Sequence, residues 1–124
     1  MDVTPIIPAG RQVIESYGAS GFRVSGAAYA GSILVFADHT LDWPVAEIGE
    51  ASFERFAPII EHGGIEILLL GCGRRMALVP AALRRALRAG GIVTDAMDTG
   101  AACRTYNVLL AEERRVAAAL IRLS

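Results

Sequence analysis

The segment between Ile65 and Leu70 constrains the fold more than any other part of the chain. Apart from Glu66 it is apolar, and a Gly-Cys-Gly turn follows it. A strand with no polar face is typical of a parallel sheet that is covered by helices on both faces. A helix is predicted to begin at Pro80, and a second strand is predicted over Ile92–Met97. We therefore expect a right-handed βαβ unit, which places the chain in the α/β class.

The chain before this unit shows a different pattern. Between Val13 and Phe36, four short runs rich in β-branched and aromatic residues alternate with glycines, which predicts an antiparallel β meander; the last run covers residues 32–36. Residues 38–45 contain the tryptophan and a proline, so they predict a short edge strand or a loop. Ser52 is positioned to cap a helix that ends at Gly63-Gly64. The apolar face of this helix is expected to comprise Phe53, Phe56, Ile59 and Ile60.

The length and composition fit one globular domain. With 124 residues, we expect a loosely held lead-in over residues 1–12 and a single α/β domain over residues 13–124. The net charge of −1 argues against a nucleic-acid partner, which usually meets a basic face. No apolar run reaches the roughly 18–20 residues of a membrane-spanning helix, and the N-terminus lacks the pattern of a secretory signal. We therefore expect a cytoplasmic location, where a disulfide between Cys72 and Cys103 is disfavoured.

The last part of the chain predicts a final helix. Asp98 or Thr99 is expected to cap it, because either side chain can accept a free backbone N–H of the first turn. Apolar residues then recur at spacings of three, four and seven as far as Leu120, so we expect the apolar face to continue that far. Tyr106 on this face needs a partner for its hydroxyl. The neighbouring Asn107 either holds an adjacent loop or lines a site, and the first is the simpler interpretation.

Glycines, arginines and aspartates cluster where the two predicted strands end. Ligands of open α/β sheets favour this carboxyl edge, and an anionic metabolite or a nucleotide is the ligand class that fits. The dinucleotide fingerprint G-x-G-x-x-G fails, however, because Met76 occupies the third glycine position and the helix begins late. The plain alternative is a tight turn that leaves a crowded sheet. The candidate ligand crevice comprises Gly71, Cys72, Gly73, Arg74, Asp95, Asp98, Thr99, Arg104 and Asn107.

No arrangement of residues indicates a specific catalytic mechanism. Asp95 and Asp98 are spaced as an acid–base pair, but Asp98 fits better as a helix cap. Cys103, in the first turn of the last helix, is placed where a thiolate is favoured, although both cysteines also fit as small buried hydrophobes. The histidines His39 and His62 have no cysteine at ligand spacing, so we predict no metal site. We likewise predict no cofactor and no catalytic residue.

Several motifs together resemble a known family. They are Gly21-Phe22-Arg23-Val24-Ser25-Gly26, Gly31-Ser32-Ile33-Leu34-Val35, Gly71-Cys72-Gly73 and, above all, Met97-Asp98-Thr99 with Ala101-Ala102 and Arg104-Thr105-Tyr106-Asn107. Over about residues 12–122 the chain is similar to a small uncharacterised domain shared by bacteria, archaea and mitochondria. The eukaryotic representative of that domain is mitochondrial complex I assembly factor 3.

The resemblance implies a three-layer α/β fold. Its central sheet is mixed and mostly parallel, with helices and an additional N-terminal antiparallel β layer. For the mitochondrial members, the resemblance implies a role in the assembly of respiratory complex I beside a second assembly factor. It supplies no catalytic residues.

Two functional hypotheses follow. The first is a non-catalytic assembly factor or adaptor that binds a protein partner through an exposed apolar patch, for which Trp43 is a candidate. The second is a small-molecule binding protein or enzyme that uses the crevice. A homodimer through the β layer or an edge strand is compatible with both, and any membrane association would be peripheral, through a partner.

Overall fold

The N-terminal part of the chain forms a small antiparallel sheet. A computed structural model describes residues 10–123, so most of the expected lead-in lies outside the described residues. Three strands pair in sequence order, namely β1 (Ile14–Gly18), β2 (Gly21–Val24) and β3 (Ala27–Tyr29). Ser25 and Gly26, both with positive φ, make the tight turn between β2 and β3. The predicted antiparallel N-terminal layer is therefore confirmed for its first three runs, whereas the run over residues 32–36 belongs to the larger sheet.

The second sheet is mixed and comprises five strands among residues 10–123. Its members are β4 (Ile33–Val35), β5 (Thr40–Asp42), β6 (Ile67–Gly71), β7 (Val93–Met97) and β8 (Val116–Leu120). Their spatial order is β5-β4-β8-β6-β7. Strand β6 runs parallel to both β7 and β8, whereas β4 runs antiparallel to β5 and β8. The predicted parallel unit thus forms one half of the sheet and a β-hairpin forms the other, with β5 as a short edge strand.

In the part of the chain that the structure describes, three helices cover this sheet, namely α1 (Ala57–His62), α2 (Ala81–Ala89) and α3 (Thr99–Ala111). Two short 3-10 turns, Ile48–Glu50 and Phe53–Phe56, precede α1. Among residues 10–123, none of the helices has the length and hydrophobicity needed to cross a bilayer. The helices take their positions from the two apolar faces of the sheet.

Successive residues of the central strands contribute to two separate cores. On one face, Leu68 and Leu70 pack with residues of α1 and α2, including Ile59 and Leu87. On the other face, Leu69 packs with α3 and with β1 and β2 of the small sheet. This alternation follows from the period of two in a β-strand, which sends neighbouring side chains to opposite faces. The result is the expected layered α/β architecture.

The final helix is much shorter than the apolar spacing predicts. It ends at Ala111, and the backbone then reverses at Glu113, whose φ is 60°. The N–H of Arg114 donates to the carbonyl of Leu109 at 3.0 Å and closes the helix end. Residues 116–120, which we expected on the helix face, form the central strand β8, all five of them buried. Alanine intrinsically favours a helix, but the pairing of this segment with β4 and β6 outweighs that preference.

The helix predicted after Ser52 also differs from the expectation. Ser52 makes no side-chain cap hydrogen bond, and the segment begins as a 3-10 turn that becomes α-helical at Ala57. A 3-10 turn has fewer residues per turn than an α-helix, so side chains that would share one face of a continuous α-helix point in different directions here. Phe56 and Ile59 are buried, whereas Phe53 and Ile60 are exposed. The predicted four-residue apolar face is therefore wrong in two of its members.

Strand β8 is the position at which a larger side chain should be tolerated least. Ala118 is fully buried and lies directly between Val35 of β4 and Leu69 of β6. We expect Ala118→Leu to destabilise the fold by about 1–3 kcal/mol or more, because overpacking forces neighbours from their rotamers. The measurement is the free energy of unfolding in urea. The matched control is Ala28→Leu on exposed β3, for which we expect a change within about 0.5 kcal/mol; equal costs at the two sites would contradict the central position of β8.

Candidate functional site

The Gly71–Gly73 turn, the first part of the predicted crevice, is held by Thr99 at the start of α3. The Thr99 hydroxyl accepts a hydrogen bond from the N–H of Gly73 at 2.9 Å and donates one to the carbonyl of Ile121 at 2.7 Å. The N–H of Thr99 in turn donates to the carbonyl of Gly73 at 2.8 Å. Because these groups are already paired within the fold, the turn does not offer them to a ligand.

Both glycines of the turn have a structural reason to be glycine. A Cβ at Gly71 would lie 3.0 Å from the Thr99 Cα and from a methyl group of Leu120, closer than side chains normally approach. Gly73 has a φ of +96°, which residues with a Cβ rarely adopt. The structure therefore favours the plain interpretation of the Gly-Cys-Gly motif, a tight turn that leaves a crowded sheet.

Asp98 caps the last helix, which decides between the two predicted capping residues. Its Oδ1 accepts a hydrogen bond from the N–H of Ala101 at 2.9 Å, and its backbone is extended, as in a standard N-cap. Asp95 lies on β7 and lines the groove between this strand and α2. The structure thus supplies a local role for Asp98 and does not place it with Asp95 in one cavity.

Polar side chains on α3 tie this helix to strand β1. The Asn107 amide accepts from the N–H of Ile14 at 3.0 Å and donates to the carbonyl of the same residue at 2.8 Å, as a neighbouring strand would. Arg104 donates to the hydroxyl of Tyr17 at 2.7 Å. The buried Tyr106 hydroxyl donates to the carbonyl of Phe36 at 3.1 Å. The dense polar motif of this helix therefore holds the two sheets together, which agrees with the simpler interpretation of Asn107.

The nine candidate residues are divided among three places. Cys72, Gly73 and Arg74 line a crevice of about 340 Å³ beside the 3-10 turn over residues 48–50. Asp95 lines a groove of about 430 Å³ that is formed by β7, α2 and residues 76–78. The remaining residues are committed to the junctions of α3 or to the packed turn. Ligand binding by the smaller crevice stays a prediction, with a smaller set of residues than the sequence suggested.

Neither cysteine has the environment of a nucleophile. Burial raises the pKa of the Cys103 thiol to about 12, despite the partly compensating charge of Arg104. Burial also raises the pKa of the half-buried Cys72 thiol, whose Sγ faces the carbonyls of Leu70 and Ala77. Nucleophilic attack requires the thiolate, which a raised pKa disfavours. The structure therefore supports the interpretation of both cysteines as small packing residues.

The three most exposed large apolar side chains of the described residues lie on β7 and in the segment before α2. Met76, Leu78 and Val93 have exposed fractions of 59%, 83% and 54%. Met76, Leu78 and Val93 line the groove of about 430 Å³, together with Arg84 and Arg88 of α2. The sequence did not reveal this patch, because residues 74–79 have neither helical nor strand periodicity.

Trp43 is not part of any exposed patch, contrary to our expectation. Only 4% of its surface is exposed, and its Nε1 donates to the carbonyl of Arg55 at 2.8 Å. Its ring packs edge-on against Phe56, with ring centroids 5.4 Å apart. The tryptophan is therefore part of the hydrophobic core that the 3-10 turns cover.

Comparison with known proteins gives the chain a family. The family described as "Protein of unknown function (DUF498/DUF598)" matches residues 14–121, which is most of the chain. The chain belongs to this family. Its relatives include an uncharacterised protein of Rhodobacter capsulatus, 37% identical over 114 residues that cover 91% of this chain and 86% of that protein.

A second relative is named for a function. The NADH dehydrogenase [ubiquinone] 1 alpha subcomplex assembly factor 3 of Danio rerio is 36% identical over 110 residues, which cover 88% of this chain and 63% of that protein. The chain thus spans less than two thirds of the length of that assembly factor. A solved Mth938-like domain of Bordetella pertussis matches with a TM-score of 0.82 at 26% identity, over 98% of this chain and 92% of that one. The predicted resemblance and fold class are both confirmed.

The junction at Thr99 leads to a prediction about stability. We expect Thr99→Val to destabilise the protein by at least about 2 kcal/mol, because it leaves a buried N–H and a buried carbonyl without their partner, each costing roughly 1–3 kcal/mol. Thr99→Ser keeps the hydroxyl and should recover most of this loss. The free energy of unfolding measures both.

Thr94 provides the matched control for this substitution. Its hydroxyl is buried without a hydrogen-bond partner among the described residues, so Thr94→Val should be neutral or slightly stabilising in the isolated protein. If the two valine variants lost equal stability, the Thr99 hydroxyl would not be the junction that its hydrogen bonds indicate.

The thiol environments lead to a chemical prediction. At about pH 8, near the usual pKa of a free cysteine, we expect Cys103 to resist a thiol reagent in the folded protein. Cys72 should react slowly, and both should react rapidly in denaturant. Mass spectrometry of partly labelled samples distinguishes the two sites. Rapid labelling of Cys103 in the native protein would show that its thiolate is accessible after all.

Proposed function

We propose that this protein is a non-catalytic assembly factor that binds a protein subunit while a respiratory NADH dehydrogenase complex is built. The observation that carries the proposal is the 36% identity, over 88% of this chain, to a protein named as such an assembly factor. The packed turn, the capping role of Asp98 and the raised pKa values of both cysteines support a binding role over catalysis. The proposed location is the cytoplasm, with membrane association through the partner.

The β7 edge is the surface that we propose for this partner. Within residues 10–123, the two edges of the large sheet differ. Strand β5 has three residues, with Leu41 37% exposed, whereas β7 has five, with Val93 54% exposed. An unpaired strand edge offers backbone N–H and carbonyl groups that an extended partner segment can pair with. Leu78 and Met76 extend the apolar area beside it.

Charge narrows the class of partner segment. The groove beside β7 is lined by Arg84 and Arg88 from α2, whereas Asp95 is its acidic lining residue. A segment that adds apolar side chains against Leu78 and carboxylates near the arginines would complement this groove. The same edge could pair with a second copy of the chain, and light scattering at several concentrations distinguishes a homodimer from a monomer.

A genetic experiment tests the assembly role and the surface together. We expect deletion of the gene in the organism that encodes it to lower the amount of assembled NADH dehydrogenase on native gels and its activity in membranes. The wild-type gene should restore both. A Leu78→Glu, Val93→Glu variant should not, because a charge in the apolar core of an interface typically costs 2 kcal/mol or more, roughly thirtyfold in affinity.

The matched control is Val108→Glu. Val108 is also exposed, on α3, and does not line the β7 groove. This variant should restore assembly as the wild type does, provided that all variants show the same melting temperature. Normal assembly in the deletion strain would overturn the proposed function. Full rescue by the double variant would overturn the proposed surface alone.

A further inference from the structure

Three potential metal ligands meet at one end of the large sheet. Asp38 and His39 lie in the turn between β4 and β5, and His62 is the last residue of α1. One ligand atom from each residue lies within 4.8 Å of the other two. The Asp38 Oδ1 is 2.8 Å from the Nδ1 of His39 and 3.4 Å from the Nε2 of His62. The fold thus brings together two imidazoles that are separated by twenty-two residues in the sequence.

The two imidazole rings lie side by side on one face of Phe36. Both are nearly parallel to the phenyl ring, with centroid distances of 4.5 Å for His39 and 4.7 Å for His62. The two imidazole centroids are 5.7 Å apart. Rings stacked on opposite faces of the phenyl group would be about 7 Å apart, twice the thickness of an aromatic ring. Buried Phe36 therefore forms a fixed base that orients both imidazoles.

The hydrogen bond of His62 determines which ring nitrogen is available. Its Nδ1 lies 2.9 Å from the carbonyl of Gly63, and a carbonyl can only accept, so the Nδ1 carries the proton. In the neutral ring the Nε2 then presents a lone pair towards the Asp38 carboxylate, which is also an acceptor. Two facing acceptors repel unless a proton or a metal cation lies between them. A carbonyl partner on the other ring nitrogen is also what metal-bound histidines usually have.

We propose that Asp38, His39 and His62 bind one first-row divalent transition ion such as Zn²⁺. The donor set supports this class, because two imidazole nitrogens and one carboxylate oxygen suit zinc and its neighbours, whereas calcium and magnesium prefer oxygen ligands throughout. The cluster is accessible, since 68% of the Asp38 side chain is exposed.

The distances from the Asp38 carboxylate oxygen to the two imidazole nitrogens are close to those around such an ion. Metal–ligand bonds of about 2.0–2.1 Å in a tetrahedron place the ligand atoms roughly 3.3–3.4 Å apart. The His62 contact with Asp38, at 3.4 Å, already has this length, and the His39 contact is shorter. Three protein ligands leave the fourth position for water or for a group of a partner. The bound ion would join the β4–β5 turn to the end of α1.

Nearby charges limit the affinity of this site. The cavity that adjoins His62 is also lined by Arg11, Arg114 and Arg115, whose positive charges oppose a second cation. The negative charge of the Asp38 carboxylate offsets these positive charges in part. The pKa of this carboxyl is below its ordinary value, mainly because of its hydrogen bond with His39, and a lowered pKa favours the charged form. We therefore expect reversible binding of an added ion rather than a permanently held one.

Calorimetric titration of the chelator-treated full chain with ZnCl₂ near neutral pH tests the proposal. We expect one ion per chain for the wild type. His39→Gln, His62→Gln and Asp38→Asn should each weaken binding by at least about tenfold, the scale on which even supporting residues affect metal affinity. The chain contains two histidines, so these variants remove every imidazole ligand between them.

Two further variants serve as matched controls. Asp42→Asn removes an exposed carboxylate of β5 that is not part of the cluster, and Cys72→Ser removes the more accessible thiol. Both should bind Zn²⁺ as the wild type does. An NMR spectrum of the imidazole nitrogens should show the His62 Nε2 signal shifting when the ion is added, with the Nδ1 proton retained.

Two results would overturn the proposal. One is the absence of binding at Zn²⁺ concentrations up to about 1 mM, which corresponds to a binding free energy weaker than about −4 kcal/mol. The other is unchanged binding in a His39→Gln, His62→Gln double variant, which would place the ion elsewhere.

Discussion

The hydroxyl of Thr99 is the interaction on which the arrangement of the layers depends. It joins the turn after β6 to the chain leaving β8, and it does so from the first residue of α3. The helix that starts there carries Asn107, which pairs with β1 of the small sheet. One buried side chain thus sets the direction of α3, and α3 in turn positions the second sheet. The chain segment with the most specific family signature is therefore explained by architecture.

This explanation changes what the signature indicates about function. Residues that looked like a ligand crevice are occupied with one another: the Gly73 backbone with Thr99, Asp98 with the helix N-terminus, and Asn107 with β1. Backbone N–H groups that already have partners cannot cradle a phosphate as they do in nucleotide-binding loops. The polar groups of this region stabilise the fold, whereas the exposed apolar side chains along β7 do not contribute to the core. A binding surface for another polypeptide fits that distribution better than a catalytic cleft does.

The sequence predicted those parts of the structure whose signals are local. The apolar run of β6, the βαβ unit and the capping aspartate each follow from neighbouring residues, and each was confirmed. Strand β8 was missed because Val116–Leu120 continues the helical spacing of the apolar residues of α3, and alanine suits a helix. Helix α3 and strand β8 are separated by a short turn in which the backbone reverses at Glu113. A non-glycine residue with positive φ has no clear sequence signal, so the boundary could not be predicted.

The histidine cluster was missed for a different physical reason. Sequence spacing reveals a metal site when its ligands lie on one helix or one turn. His39 and His62 come from the β4–β5 turn and the end of α1, and they meet because both rings stack on Phe36. Their proposed site belongs to the β4–β5 half of the sheet, whereas the proposed partner surface is the opposite edge, β7. Sites that share no side chains and are separated by the width of a sheet usually contribute independently to the free energy. A metal ion at the first site would therefore stiffen one half of the molecule without necessarily changing partner affinity at the second. Coupling between the two would require a rearrangement of β8 and β6, the two central strands that lie between them.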